Sequence, residues 1–418
     1  MSGVAEVNIA LAGIAGYGDI YLQALLAKHE AARAPIVGVV DTAPHRCRRL
    51  VELRELGIPV FTSLRDLFAR ASVEVLMVAT PIHLHAPQTC FALEHGANVL
   101  CEKPVAGTLR DATRMIDAER RSAGRFVSIG YQWSFSRSVQ ALKRDIIAGL
   151  LGRPIRMKCM AFFPRTVDYF RRNDWAGRTH MPGGEAVFDS PVNNATAHYL
   201  HNMFYLLGRT RETSAMPATV QAELYRANDI QNYDTAAVRS VTECGTELLF
   251  YTTHAAPTRQ GPRCRYEFED AVVEYDAGHV GGGEFIARFR DGRIRNYGQP
   301  NLDPGEKIWQ SVDAARTGDA VACGIPAAMG HARCVAAAQH SSPEITSFPR
   351  AMKQTLRSDG LDMICIDGLD QALRECFERA ILPAEHPGAW WARAGSPVQA
   401  IAPHVTVARP AAPAVAAQ

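Results

Sequence analysis

The first 131 residues carry the feature that most constrains the fold. Short apolar runs alternate there with segments of helical spacing, and a glycine-rich turn closes the first run. The runs cover residues 8–12, 36–40, 73–79, 98–101 and 126–129, rich in Val, Ile and Leu and rarely interrupted by polar residues. Such runs suit strands covered on both faces, as in a parallel sheet. Helical spacing fills 21–32, 46–56, 64–69, 86–95 and 109–122, with Ser63 and Thr108 placed as N-caps. A repeated β-α unit with short connections predicts a doubly wound α/β domain.

After a helical stretch at 139–148 the pattern changes. Alternating strands are expected at 220–225, 236–242, 247–253, 265–268 and 272–275 without helices between them. Segments 285–289 and 293–297 flank Asp291-Gly292, a hairpin signal. Helical spacing returns at 325–339 and 368–380. The expected organisation is a Rossmann domain over 1–131, then an α+β domain over 132–395 on a large, mainly antiparallel sheet. A poorly ordered Ala-, Pro- and Val-rich tail follows over 396–418.

Composition excludes several classes. A chain of 418 residues accommodates two or three domains. Lys plus Arg number 45 against 43 acids, and this balance argues against a nucleic-acid binder. No apolar run reaches the roughly 18 residues that span a bilayer. Residues 1–7 carry an acid and no basic region, unlike a secretory signal. Ten scattered cysteines, none in a Cys-x-x-Cys pair, read as thiols of a reducing compartment. The expectation is a cytoplasmic protein with no membrane or nucleic-acid partner and no metal.

The turn after the first run is Gly13-Ile14-Ala15-Gly16-Tyr17-Gly18. It meets the G-x-G-x-x-G fingerprint at its first and last glycines, with Ala15 at the second and Gly16 added. Small residues are needed because backbone N–H groups must approach a pyrophosphate at a helix N-terminus. Asp41 ends the second run 23 residues past Gly18, placed to grip ribose hydroxyls. An acid there favours NAD over NADP, although Arg46 and Arg48 offer charge for the extra phosphate.

Two further stretches carry a resemblance. Ala79-Thr80-Pro81-Ile82-His83-Leu84-His85 follows the third run, and Gly96 to Glu102-Lys103-Pro104 encloses the fourth. With Gly130-Tyr131-Gln132, residues 149–154, Gly183-Gly184, Asp189 and 198–208, they closely resemble the Gfo/Idh/MocA family of glucose–fructose oxidoreductase and inositol dehydrogenase. The resemblance covers about residues 8–380, and Glu102-Lys103-Pro104 is its most specific element. It implies NAD(P)-dependent oxidation or reduction of a sugar, polyol or cyclitol by a homo-oligomer, a dimer or tetramer. It also places Thr80, Pro81, His85, Glu102 and Lys103 beside the cofactor. Lys103, at the carboxyl end of a strand, suits orienting a hydroxyl and stabilising a developing alkoxide; the bland alternative is a surface lysine paired with Glu102.

The sequence departs from the family after Asp189. Four residues on, where the pattern has histidine, stands Asn193. Counting ten back from Gly208 gives His198, with His201 at the second polar position, so a five-residue insertion within 190–196 reconciles the two. His198 is then the proton acceptor, since its ordinary pKa lies near neutrality; Asp189 completes the catalytic set with Lys103. A structural role for His198 and His201 is the second reading, and a metal pair a distant third. Segment 169–178 mixes aromatic, basic and amide groups suited to carbohydrate, so Arg172, Asn173 and Trp175 are expected at the substrate, with Asn194 and His201. Asn228 to Asp234 and His254 are weaker candidates. A glycosidase using NAD transiently, and a non-catalytic dinucleotide sensor, are the competing functions.

Overall fold

The structure, a computed structural model, describes residues 5–278, 282–301 and 303–400. Six parallel strands form the first sheet: β1 (Ile9–Ala12), β2 (Ile36–Val40), β3 (Val60–Phe61), β4 (Val75–Val78), β5 (Asn98–Cys101) and β6 (Val127–Ile129). Their order is β3-β2-β1-β4-β5-β6, so the direction of winding reverses between β1 and β4. A crevice opens at the carboxyl ends of strands at such a reversal. Ser63 and Thr108 cap their helices as expected, each hydroxyl accepting the backbone N–H three residues on, at 3.1 and 3.0 Å. The two-residue β3 carries too little pattern to be seen in the sequence.

The second sheet is built on β7 (Pro154–Phe162), β8 (Pro217–Arg226), β9 (Thr235–Thr242), β10 (Glu247–Thr253), β11 (Gln260–Phe268), β12 (Ala271–Asp276), β13 (Phe285–Phe289) and β14 (Ile294–Gly298). Its order is β14-β13-β12-β11-β7-β10-β9-β8. The expected hairpin at Asp291-Gly292 joins β13 to β14, with Gly292 at φ 89°. The sequence reading missed β7, the central strand, which pairs antiparallel with β11 and parallel with β10. Arg156 and Lys158 disguise it. The Lys158 ammonium is satisfied by the carbonyls of Phe377 and Glu378 at 2.6 and 3.0 Å.

Helices Ala197–Leu206 and Ile325–Ser341 cover one face of this sheet. On the other face Phe348, Leu369, Leu373, Phe377, Leu382 and Trp391 pack onto Met160, Tyr225, Leu249 and Tyr251. The helix Glu306–Thr317 returns to the first domain, where Ile308, Trp309 and Val312 join Leu22, Leu25 and Met77 in one core cluster.

The expected tail needs correction at its start. Ser396 N–H donates to the Ser341 carbonyl at 2.9 Å, and Val398–Gln399 pairs with β8, because an edge strand offers free backbone groups. Residues 401–418 of that tail lie outside the described residues. Among the described residues, no helix is long and apolar enough to cross a membrane.

Candidate active site

The glycine turn leaves β1 with Gly13 at φ 84° and Gly16 at φ 59°. A Cβ on Gly13 would lie 2.8 Å from the Ala79 carbonyl oxygen, and one on Gly18 would lie 2.0 Å from that of Gly13. Only glycine fits either position. Among the described residues, the N–H groups of Ala15, Gly16 and Tyr17 donate to no acceptor, although they stand at the mouth of the helix Gly18–Lys28. Three free amides at a helix N-terminus fit a diphosphate. The Asp41 carboxylate accepts from Ile14 N at 3.0 Å and Ala43 N at 2.8 Å, so it braces the turn while remaining half-exposed at the end of β2. These residues fit the nucleotide half of NAD.

Thr80 and Pro81 follow β4 on the neighbouring side of the reversal and are half-buried. The Thr80 hydroxyl donates to Gln88 Oε1 at 2.7 Å. His85 is buried, with Nδ1 2.8 Å from the Pro104 carbonyl and Nε2 3.0 Å from that of Thr80. It therefore stands between the two loops that end β4 and β5, with its one ring N–H able to bond either carbonyl. Gly107 brings the second loop against the other domain; a Cβ there would meet the Ala186 carbonyl oxygen at 2.1 Å.

Lys103 projects from the end of β5 into the crevice. Its ammonium donates to Asn194 at the carbonyl (2.9 Å) and at Oδ1 (2.7 Å). Asn194 Nδ2 in turn donates to Asp189 Oδ1 at 2.7 Å, and the second Asp189 oxygen accepts Gly177 N–H at 2.7 Å. Burial lowers the Lys103 pKa to about 8; Glu102 opposes the shift, and Lys307 reinforces it. Burial raises the Asp189 pKa, against the pull of Gly177, Asn194, Arg172 and Lys103. Glu102 does not pair with the Lys103 ammonium. Its buried carboxylate meets Lys307 and accepts from Tyr21 Oη at 2.7 Å, so its expected cofactor contact is replaced by a place in the joint between the two halves.

Between Asp189 and the helix that carries His198 the chain makes a π-helical turn, Pro191–Ala195, within the segment expected to hold the insertion. It turns Asn194 toward Lys103 and leaves Asn193 buried, with its amide on the Phe188 carbonyl at 3.2 Å. His198 is half-buried; its Nδ1 is buried with no hydrogen-bond partner, which leaves Nε2 on the open side. Burial first, then the Lys103 and Lys307 charges, hold its pKa well below the ordinary value.

His201 requires correction. It is fully buried, stacked on Tyr131 at 3.7 Å, with Nε2 3.0 Å from Ser134 Oγ, because it lies one turn further along the same face than His198, where Tyr131 and Ser134 cover it. It cannot touch substrate. Tyr131 donates to His331 Nδ1 at 2.9 Å, since His331 Nε2 must carry the proton that bonds the Val192 carbonyl at 3.0 Å. The sequence reading gave His331 no role, as a lone histidine in a helical stretch carries no signal.

Asn173 shapes its loop, accepting from Trp175 N at 3.2 Å and Ala176 N at 2.8 Å. Arg172 is exposed and stacks on Tyr169 at 3.6 Å and Trp175 at 5.1 Å. Asn232 donates to the Asp189 carbonyl at 3.0 Å, whereas His254 is buried with Nδ1 on the Phe163 carbonyl at 2.7 Å. Among the described residues, no three His, Cys, Asp or Glu side chains are grouped to hold a metal. A separate cleft of about 830 Å³ on β11–β13 shares no lining residue with this crevice.

The parallel sheet with its glycine turn and a second domain built on a large mixed sheet meet at one crevice, to which the helix Ala197–Leu206 and the turn before it bring His198 and Asn194. Residues 7–131 match the model of the oxidoreductase family with an NAD-binding Rossmann fold, Gfo/Idh/MocA. The chain is 27% identical over 202 residues to an inositol 2-dehydrogenase of Burkholderia multivorans, covering 48% of this chain and 55% of the relative. It thus spans about half the length of the curated relatives it matches. Among solved structures it resembles levoglucosan dehydrogenase in complex with NADH (TM-score 0.67, 17% identity, covering 81% of this chain and 97% of the other). It also resembles the WlbA dehydrogenase from Bordetella pertussis with NADH and UDP-GlcNAcA (TM-score 0.66, 19% identity, 81% and 97%). At these identities the structures establish a shared fold.

Proposed function

We propose that the protein is an NAD-dependent dehydrogenase that oxidises a hydroxyl of a sugar, polyol or cyclitol. The observation that carries this reading is the convergence of Lys103, Asn194 and Asp189 at the end of β5, with His198 on the helix that follows. NAD, when bound, supplies a hydride acceptor. Lys103, held by Asn194, is placed to hold the reacting hydroxyl and to stabilise the alkoxide that develops as the C–H bond breaks. His198, kept neutral by its surroundings, receives the hydroxyl proton at the imidazole nitrogen on the open side. Asp189 and Asn194 fix the ammonium, so its direction is set before substrate arrives.

Asp41 supports a preference for NAD, since a carboxylate already engaged with two backbone amides cannot turn away from a 2′-phosphate. Following NADH absorbance over a panel of sugars and polyols, with product analysis, tests the reading. Net NADH with an oxidised product is expected. Turnover without net NADH would indicate transient oxidation, and tight NAD binding without turnover a sensor. Titration calorimetry with NAD and NADP tests the cofactor preference; tighter NADP binding would assign Arg46 or Arg48 the dominant role.

A further inference from the structure

We propose that the substrate of this site carries a carboxylate, gripped by Arg165 and Arg172; the inference rests on the dehydrogenase reading above and narrows its substrate class. Both guanidiniums stack on the Tyr169 ring, with their central carbons 4.6 and 3.6 Å from its centroid. Arg172 donates to the Tyr169 carbonyl at 2.5 Å, which orients the guanidinium and leaves its other donors free. Arg165 is half-buried, and its Nε is buried with no partner. Gly177 of the same loop donates its N–H to Asp189 at 2.7 Å, and the Arg172 charge acts on Lys103 and Asp189, so the loop borders the crevice.

Charge is uncompensated here. Several arginines of the second half meet acids, as in Arg153–Glu269, Arg156–Glu247, Arg239–Glu385 and Arg263–Glu378. Among the described residues, no carboxylate lies within ion-pair distance of Arg165 or Arg172, including Asp168 and Asp174 of the same loop. Asp189 has both oxygens engaged by Gly177 and Asn194, and Lys103 is bonded to a neutral amide. The exposed Arg172 and the half-buried Arg165 thus stand side by side on one ring with no acid between them. Arg165 loses hydration at Nε without recovering it from a partner, unless an anion enters with the ligand. Planar guanidiniums held by ring stacking suit a carboxylate, which accepts two parallel N–H bonds.

The carboxylate takes no part in the chemistry. With NAD bound, the hydrogen of the reacting carbon would leave with the C–H electron pair as hydride, and the cofactor would supply the two-electron oxidation. The hydroxyl proton goes to His198 and the C–O bond becomes a carbonyl. The product is a keto acid of the sugar-acid class.

The test compares D-glucuronate, D-galacturonate and D-gluconate with D-glucose, D-galactose and myo-inositol, and includes D-glucose 6-phosphate. Two readouts are taken on the full chain: NAD reduction, and thermal protection of the NADH-loaded protein. A carboxylated compound should show kcat/KM at least tenfold above its neutral counterpart. Arg172→Gln should erase that preference and the protection, and Arg172→Lys should restore little of either. NADH affinity of each variant serves as the folding control. NAD reduction with neutral compounds equal or better, with the phosphate better, or with the preference intact in Arg172→Gln, overturns the proposal and leaves the dehydrogenase reading standing. Protection by carboxylates without NAD reduction keeps the anion site and removes the dehydrogenase reading. Neither protection nor reduction by any compound overturns both.

Discussion

Lys307 sets its ammonium against the Glu102 carboxylate, so a helix of the second half closes over the end of strand β5 in the first. Both side chains are almost fully buried. Glu102 also accepts from Tyr21 Oη at 2.7 Å and from the Lys103 backbone N–H at 3.1 Å. Burial drives its pKa up, but Lys307, Lys103 and Tyr21 together bring it below the ordinary value. Removing one member of such a pair strands the other. Lys307→Met should therefore lower unfolding stability by about 3–5 kcal/mol in urea titration. The Glu102→Gln/Lys307→Met double variant should lose less than the sum of the single losses, since the two are in contact. An additive double variant would show that the pair is not coupled.

The rate should depend on pH through Lys103. Its pKa is lowered to about 8, so the ammonium form is full below that pH and disappears above it. Alcohol oxidation should accordingly decline as pH rises through about 8. His198, with its pKa held well below the ordinary value, stays neutral near pH 7 and should place no acid limb between pH 6.5 and 8. A kcat/KM profile that climbs steadily to pH 10 would count against an essential Lys103 ammonium.

The two histidines on one helix should separate cleanly. His198→Asn should depress kcat by about 10²- to 10⁴-fold, in the range for an acid–base group, and leave the melting temperature near that of the parent. His201→Asn should cost about 1–3 kcal/mol of stability, because it breaks the Tyr131 stack and strands buried polar groups. Steady-state rates beside melting curves check both. A crippling, well-folded His201→Asn together with a mild His198→Asn would reassign the base.

Glu223 should make stability fall with rising pH. Burial raises its pKa to about 7, and the carboxyl meets Tyr225 Oη at 2.5 Å and Ala384 N at 3.1 Å. A folded pKa above the unfolded value means that the folded chain binds more protons. This contribution is therefore whole below about pH 4.5 and is lost as pH rises through about 7. The loss is roughly 3 kcal/mol at most. Urea midpoints at pH 5 and 8 should differ less in Glu223→Gln than in the parent; an unchanged difference would assign the dependence elsewhere.

How much of this was legible in the sequence depended on whether a signal was local. β2 and β5 fell where their apolar runs stood, because a strand buried on both faces reads as a continuous run whatever lies around it, and β10 and β13 fell where alternation and the hairpin signal placed them. Ser63 and Thr108 were readable as caps because the bond they make spans three residues. The glycine turn was readable because its close contacts exclude any side chain, and Lys103 because the Glu102-Lys103-Pro104 triplet stands at the end of an apolar run.

Partners distant along the chain were decided by the tertiary structure. The sequence suggested Glu102 for Lys103, yet the ammonium reaches Asn194, 91 residues on, and the carboxylate meets Lys307, 205 residues on. His198 and His201 looked alike as two polar points on one helical face. Tyr131 touches both, edge-on to His198 and stacked flat on His201, and one turn along the same face carries the side chain from the crevice into the core. The amino-acid order determined which elements form and which residue types stand at their ends. Which charge each buried group faces depended on how the two sheets and the returning helix pack, since a buried charge is governed by whatever neighbour replaces its water.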